Sequence, residues 1–110
     1  MPRAERDIWE AYRYLFDRSP EAAVKWYRNV REAIRLLAEM PLRNAQAPEV
    51  SGTHEAIRQT HPSSNAKVYR IIYLVIEESS QVHVLTVRHG ARAPLTATMI
   101  DELLREIDSL

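Results

Sequence analysis

With 110 residues the chain has room for one hydrophobic core, and a single domain over residues 1–110 is expected. Lysine plus arginine equal aspartate plus glutamate at 15 each, so the global field offers no pull toward polyanions and any nucleic-acid role must rest on a local patch. The absence of cysteine excludes disulfides, thiolate metal sites and cysteine nucleophiles, and without a membrane-length apolar run or a leader pattern the expected location is the cytoplasm, with no membrane partner.

Over residues 3–17, Ile8, Ala11, Tyr12, Leu15 and Phe16 fall on one helical face, predicting a first amphipathic helix. Ser19-Pro20-Glu21 then supplies an N-cap hydroxyl, a proline tolerated in the first turn and an acid favoured by the helix dipole. A second helix follows, with Ala23, Tyr27, Val30, Ile34 and Leu37 as its apolar stripe, running to Met40 and stopped by Pro41. So short a gap implies an antiparallel hairpin whose stripes face a common layer. Residues 41–53 have no period and read as a loop. Beyond them the period changes to 2: a short strand over 55–60, a long one over 66–78 that is apolar on both faces and so central, a polar turn at 78–81, and a strand over 82–89. Thr98-Met99-Ile100-Asp101 has the form of a helix start, and a short acidic helix over 98–109 is expected to close the chain. Helices thus segregate from strands. The predicted class is α+β, with the helical hairpin packed on a small antiparallel sheet.

Ala4-Glu5-Arg6-Asp7-Ile8, the Ser19-Pro20-Glu21-Ala22-Ala23 helix start, the Met40-Pro41 helix end, the strand Val68-Tyr69-Arg70-Ile71-Ile72-Tyr73, and the run Val84 to Arg92 with its His89-Gly90-Ala91-Arg92 ending together resemble the ParE branch of the ParE/RelE toxin superfamily. The likeness covers residues 4–92 in order. It implies a RelE-like fold and a toxin of a plasmid-stabilization type, paired with a cognate antitoxin. The implied target is DNA gyrase or, for the RelE kind, the ribosome and its mRNA. Family members usually begin with a short strand before the first helix, whereas here the helical pattern starts within the first residues. Either the start lies upstream or an edge strand is missing. A missing strand is expected to leave the neighbouring strand open to addition of an antitoxin segment.

Arg58, Arg70, Arg88, His89 and Arg92 come from the predicted strands and the exit of the last. A surface gathering them is expected to bind an antitoxin or an acidic target, because guanidinium groups form bidentate, charge-assisted hydrogen bonds. Each is equally readable as an ordinary solvated sheet charge. The resemblance singles out Arg70 and Arg92. Arg70 sits within an apolar strand, where a structural role weighs as much as a functional one, while Arg92 follows Gly90 at a strand end, where a bend re-aims side chains. His89 and Arg92 are the candidates for catalysis. His89 has the ring for acid–base chemistry, or is a strand histidine satisfied by a backbone carbonyl.

His54, His61 and His83 lack metal-ligand spacing, so neither metal nor cofactor is expected. Most aromatic residues, among them Trp9, Tyr12, Tyr14, Tyr27, Tyr69 and Tyr73, are expected in the core rather than as a base-stacking surface. Trp26 lies off the stripe and is expected to be partly exposed, marking a protein contact.

Ribosome-dependent nucleases of the RelE kind usually carry a tyrosine soon after the terminal-strand arginine, and residues 93–98 contain none. Together with the neutral charge and the ParE-like helix starts, this favours a non-enzymatic gyrase inhibitor over an endoribonuclease. A family member that only binds a partner, or self-associates through its acidic last helix, stays open as a third reading. The expected assembly is a homo-oligomer or a toxin–antitoxin hetero-oligomer.

Overall fold

A computed structural model describes residues 2–39, 57–62, 69–90, 92 and 94–108. The expected loop over 41–53, residues 55–56 and 66–68 of the expected strands, the end of the second helix at Met40, His54 and residue 109 lie outside them.

Helices α1 (Pro2–Arg18) and α2 (Pro20–Leu37) are separated by Ser19 alone. Its backbone is extended, at φ −157° and ψ 103°, and its Oγ accepts the Ala22 N–H at 3.3 Å. The Ser19 N–H donates to the Leu15 carbonyl at 2.8 Å, so one residue closes the first helix and caps the second. Helix α2 ends earlier than the sequence implies. The Ala38 and Glu39 amides donate to the Arg35 and Leu36 carbonyls at 3.2 and 3.1 Å, tightening the last turn into three-residue steps.

Strands β1 (Ile57–Thr60), β2 (Tyr69–Ile76) and β3 (Gln81–His89) form an antiparallel sheet in the order β1-β2-β3. The doubly apolar strand is central, as its pattern predicts. Ile71, Tyr73 and Val75 pack under Val30 and Leu37 of α2. Ile72 points the opposite way and meets Ile57, Leu85, Leu95, Ile100 and Leu103. Alternation along one strand thus supplies two cores. The turn into β3 passes through a short 3-10 segment, Glu77–Ser79, and Ser80 at φ 55°. The register shifts between Ile72 and Tyr73, whose partners are Thr86 and Val84, leaving Leu85 as the extra residue of a bulge.

Among the described residues β3 is paired on one side only. Helix α1 lies against it. Asp7 accepts the Thr86 hydroxyl and, at 3.4 Å, the Val87 N–H, which therefore points away from β2. Arg3 Nε stands 3.4 Å from the same carboxylate. The open edge is thus partly satisfied by a side chain, one of the ways in which edges are blunted.

Helix α3 (Ala97–Asp108) covers the second face of the sheet. Its start differs from the expected one. Thr96 rather than Thr98 caps it, its Oγ1 accepting the Met99 N–H at 3.2 Å while its carbonyl accepts the Ile100 N–H at 3.0 Å. The aromatic expectation also fails in part: Tyr73 is fully buried, but Trp9, Tyr14, Phe16 and Tyr27 are exposed. Trp26 is partly exposed, as expected, with its ring turned to the sheet, 5.1 Å from that of Tyr69, and Tyr27 leaves the stripe to meet Tyr12 of α1 at 5.7 Å. The sheet lies under one edge of the α2 face and α1 under the other, so neighbouring positions on the helix part ways.

Candidate functional site

The start of β2, the end of β1 and the end of β3 lie together, because antiparallel pairing sets Tyr69 opposite His89, Arg70 opposite Arg88 and Thr60 opposite Ile71. The predicted residues divide between the two faces there. Arg70 alternates with Ile72 and so shares the face that receives α3. Arg88 lies directly across from it. Arg58, opposite Tyr73, belongs to the hairpin face instead. The expected convergence of five cationic or titratable groups is therefore only partial: Arg70 and Arg88 are brought together, and Arg58 is not among them.

Burial separates these residues further. Arg88 is only 6% exposed, an arginine enclosed in the sheet rather than a solvated strand charge. A buried guanidinium requires polar partners. Arg70 is half-buried and donates from Nε to Gln59 Oε1 at 2.8 Å, which fixes the head of a long side chain at the sheet surface. Directly opposed like charges destabilise a sheet on their own. The same face is overlaid by α3, whose sequence brings Asp101, Glu102 and Glu106, so the field there is not one of cations alone.

On the hairpin face, His89 meets the Tyr69 ring edge-on at 5.2 Å, and Tyr69 in turn meets Trp26. Burial pushes the Tyr69 phenol above its ordinary value, and the phenol of Tyr14 adds to the rise. His61 donates from Nδ1 to the Tyr69 carbonyl at 3.0 Å. The ring ladder Trp26–Tyr69–His89 therefore terminates the hydrophobic layer under α2. Beyond it the chain turns: the Arg92 N–H donates to the His89 carbonyl at 3.1 Å, and the Arg92 side chain stands in solvent. His83 is at the far end of β3, beside Gln81 at 3.1 Å.

Sequence reasoning missed Asp7, Gln59, His61, Tyr69 and the packing of Trp26 on Tyr69. Asp7 had a signal, since with Ala4, Ile8 and Ala11 it occupies the apolar stripe of α1, where an acid needs a polar partner. Gln59 and His61 had none, because register across strands decides which side chains they meet.

A search of curated proteins finds no match to the chain. The family model described as the ParE toxin of the type II toxin–antitoxin system, parDE, matches residues 1–94, a span that includes the helical hairpin, the whole sheet and Arg92. The chain belongs to this ParE toxin family, and its class implies an antitoxin partner.

Proposed function

We propose that this protein is a cytoplasmic toxin that inhibits DNA gyrase without cutting nucleic acid, and that a cognate antitoxin neutralises it by binding the same single domain. The observation that carries the reading is the contrast between Arg88 and Arg92. One is enclosed in the sheet, and the other is held out in solvent by a turn anchored on the His89 carbonyl. An exposed guanidinium whose own backbone N–H is hydrogen-bonded to the end of β3 is available to a carboxylate or phosphate. Arg70, His89 and the buried Arg88 act behind it, shaping and rigidifying the strand ends, and Arg58 contributes from the hairpin face.

Ribosome-dependent cleavage of mRNA is the second reading, favoured by the gathering of His61, Tyr69 and His89 at one end of the sheet. Cleavage next to a 2′-hydroxyl requires a base and an acid. Burial raises the Tyr69 phenol further above an ordinary value that is already alkaline, so it offers an acid but no base near neutrality, and the base would have to come from a histidine.

Induction of the chain alone in a bacterial host separates the readings. Gyrase inhibition produces filamentation and DNA-damage signalling, with supercoiling by purified gyrase falling as toxin is added. A nuclease produces translation arrest with cut messages, and a chain that only binds a partner produces neither. Arg92→Ala is expected to abolish toxicity while leaving the circular dichroism spectrum and the unfolding midpoint in place. Toxicity equal to that of the parent would remove Arg92 from the site.

A further inference from the structure

Tyr69 opens β2, its backbone partner His89 closes β3, and the two form the last pair of that ladder at this end of the sheet. Terminal pairs have neighbours on one side only and open more readily than the strand interior. Here side chains from several elements converge on the pair. The Trp26 ring of α2 lies 5.1 Å from the Tyr69 ring at 60°, and the His89 ring meets Tyr69 edge-on at 5.2 Å and 72°. Trp26 and Tyr69 also pack against the layer of Val30, Ile71 and Val87. His61, just past the end of β1, holds the Tyr69 carbonyl through Nδ1 at 3.0 Å. Burial and, after it, the Tyr14 phenol of α1 push the Tyr69 phenol up. Tilted and edge-on rings attract through their quadrupoles as well as burying area, so this ladder favours one arrangement of the three rings. The Arg92 N–H donates to the His89 carbonyl at 3.1 Å, so the residue held by the ladder is also the one from which Arg92 leaves the sheet.

We propose that Tyr69 is a positioning residue for Arg92: its ring, backed by Trp26, holds His89 in place and so fixes the point from which the Arg92 guanidinium is presented. The inference rests on the reading that Arg92 contacts the target, and it adds the group that acts behind it. That group is the ring and not the hydroxyl, because ring faces and edges make the contacts with Trp26 and His89. Holding a contact residue in its bound direction lowers the ordering cost when the target arrives, whereas a loosened strand end spreads the guanidinium over many directions. A tyrosine acting as an acid in RNA cleavage would instead depend on its hydroxyl.

The test compares, in the full chain, Tyr69→Leu, which keeps apolar bulk without the ring, and Tyr69→Phe, which restores the ring without the hydroxyl. Two quantities are read: NMR order parameters of the backbone amides, and the toxin concentration that halves supercoiling by purified gyrase. Tyr69→Leu is expected to lower the order parameters of His89 and Arg92 to below about 0.6 while those of Ile71 and Val87 keep their parental values. The half-inhibitory concentration is expected to rise at least about tenfold, with the circular dichroism spectrum unchanged. Tyr69→Phe is expected to rescue both quantities. Should Tyr69→Leu not fold, Trp26→Leu, which removes the ring behind Tyr69, takes its place with the same expected direction. Unchanged order at Arg92 would overturn the inference. So would lost inhibition with order retained, which would make Tyr69 itself a target contact, or losses shared by Tyr69→Phe, which would make the hydroxyl the acting group. If the parent does not inhibit gyrase, the function proposed above falls, and the order parameters still decide whether Tyr69 holds Arg92.

Discussion

Asp7 is the residue whose removal most directly tests how α1 is held to the sheet. Its carboxylate takes the Thr86 hydroxyl and an N–H from the open side of β3, and it is nearly enclosed, with 13% of the side chain exposed. Asp7→Ala leaves two donors in a place that water reaches poorly, a cost of about 1–3 kcal/mol. Asp7→Asn keeps an oxygen for one of them and is expected to cost less. Urea unfolding of both variants checks the order, and equal losses would mean that the charge, not the acceptor, matters. Tyr69 provides a second test, through pH. Its folded pKa is raised above the ordinary value of 10.0, so the stability it contributes is fully present below about pH 10 and is lost as pH rises through the folded value. Tyr69→Phe should flatten the fall in unfolding midpoint between about pH 9 and about pH 11. A slope equal to that of the parent would place the alkaline sensitivity elsewhere.

Among the elements, the hairpin was the most legible in sequence, because its limits depend on local chemistry. Ser19, Pro20 and Glu21 determine where α2 starts whatever packs on it. Ser19→Ala accordingly removes the acceptor for the Ala22 N–H and is expected to cost about 0.5–2 kcal/mol, read as a lower thermal midpoint with unchanged helix content at 25 °C. A midpoint within error of the parent would mean that the short gap, not the cap, sets the turn. The central place of β2 was also legible, since a strand apolar on both faces has to be covered twice. Which of two neighbouring positions faced inward was not. A stripe through Ala23, Val30 and Leu37 accommodates either Trp26 or Tyr27, and the choice depends on the side from which α1 approaches. The arginines show the same limit. The alternation that puts Arg70 and Arg58 on opposite faces follows from pairing register, and no segment read alone contains register.

Across the whole molecule, the consequential feature is that one strand connects two cores. Ile72 of β2 belongs to the layer under α3, while its neighbours Ile71 and Tyr73 belong to the layer under α2. Helix α3 lies beyond the residues matched by the family model, yet it covers Ile57, Ile72 and Leu85 on the face opposite the hairpin. Leu103→Ala should therefore weaken the entire fold and not just fray its last helix. The expected cost is about 2–5 kcal/mol, as for other leucine truncations in a packed core. Both tryptophans are on the hairpin, so their fluorescence reports the far side of the sheet, whereas circular dichroism reports α3 together with α1 and α2. If β2 transmits the loss, the two signals shift together to lower urea with a common midpoint. Should circular dichroism fall early while tryptophan fluorescence keeps its parental midpoint, α3 would be an independent flap, and the two faces of the sheet would be energetically separate.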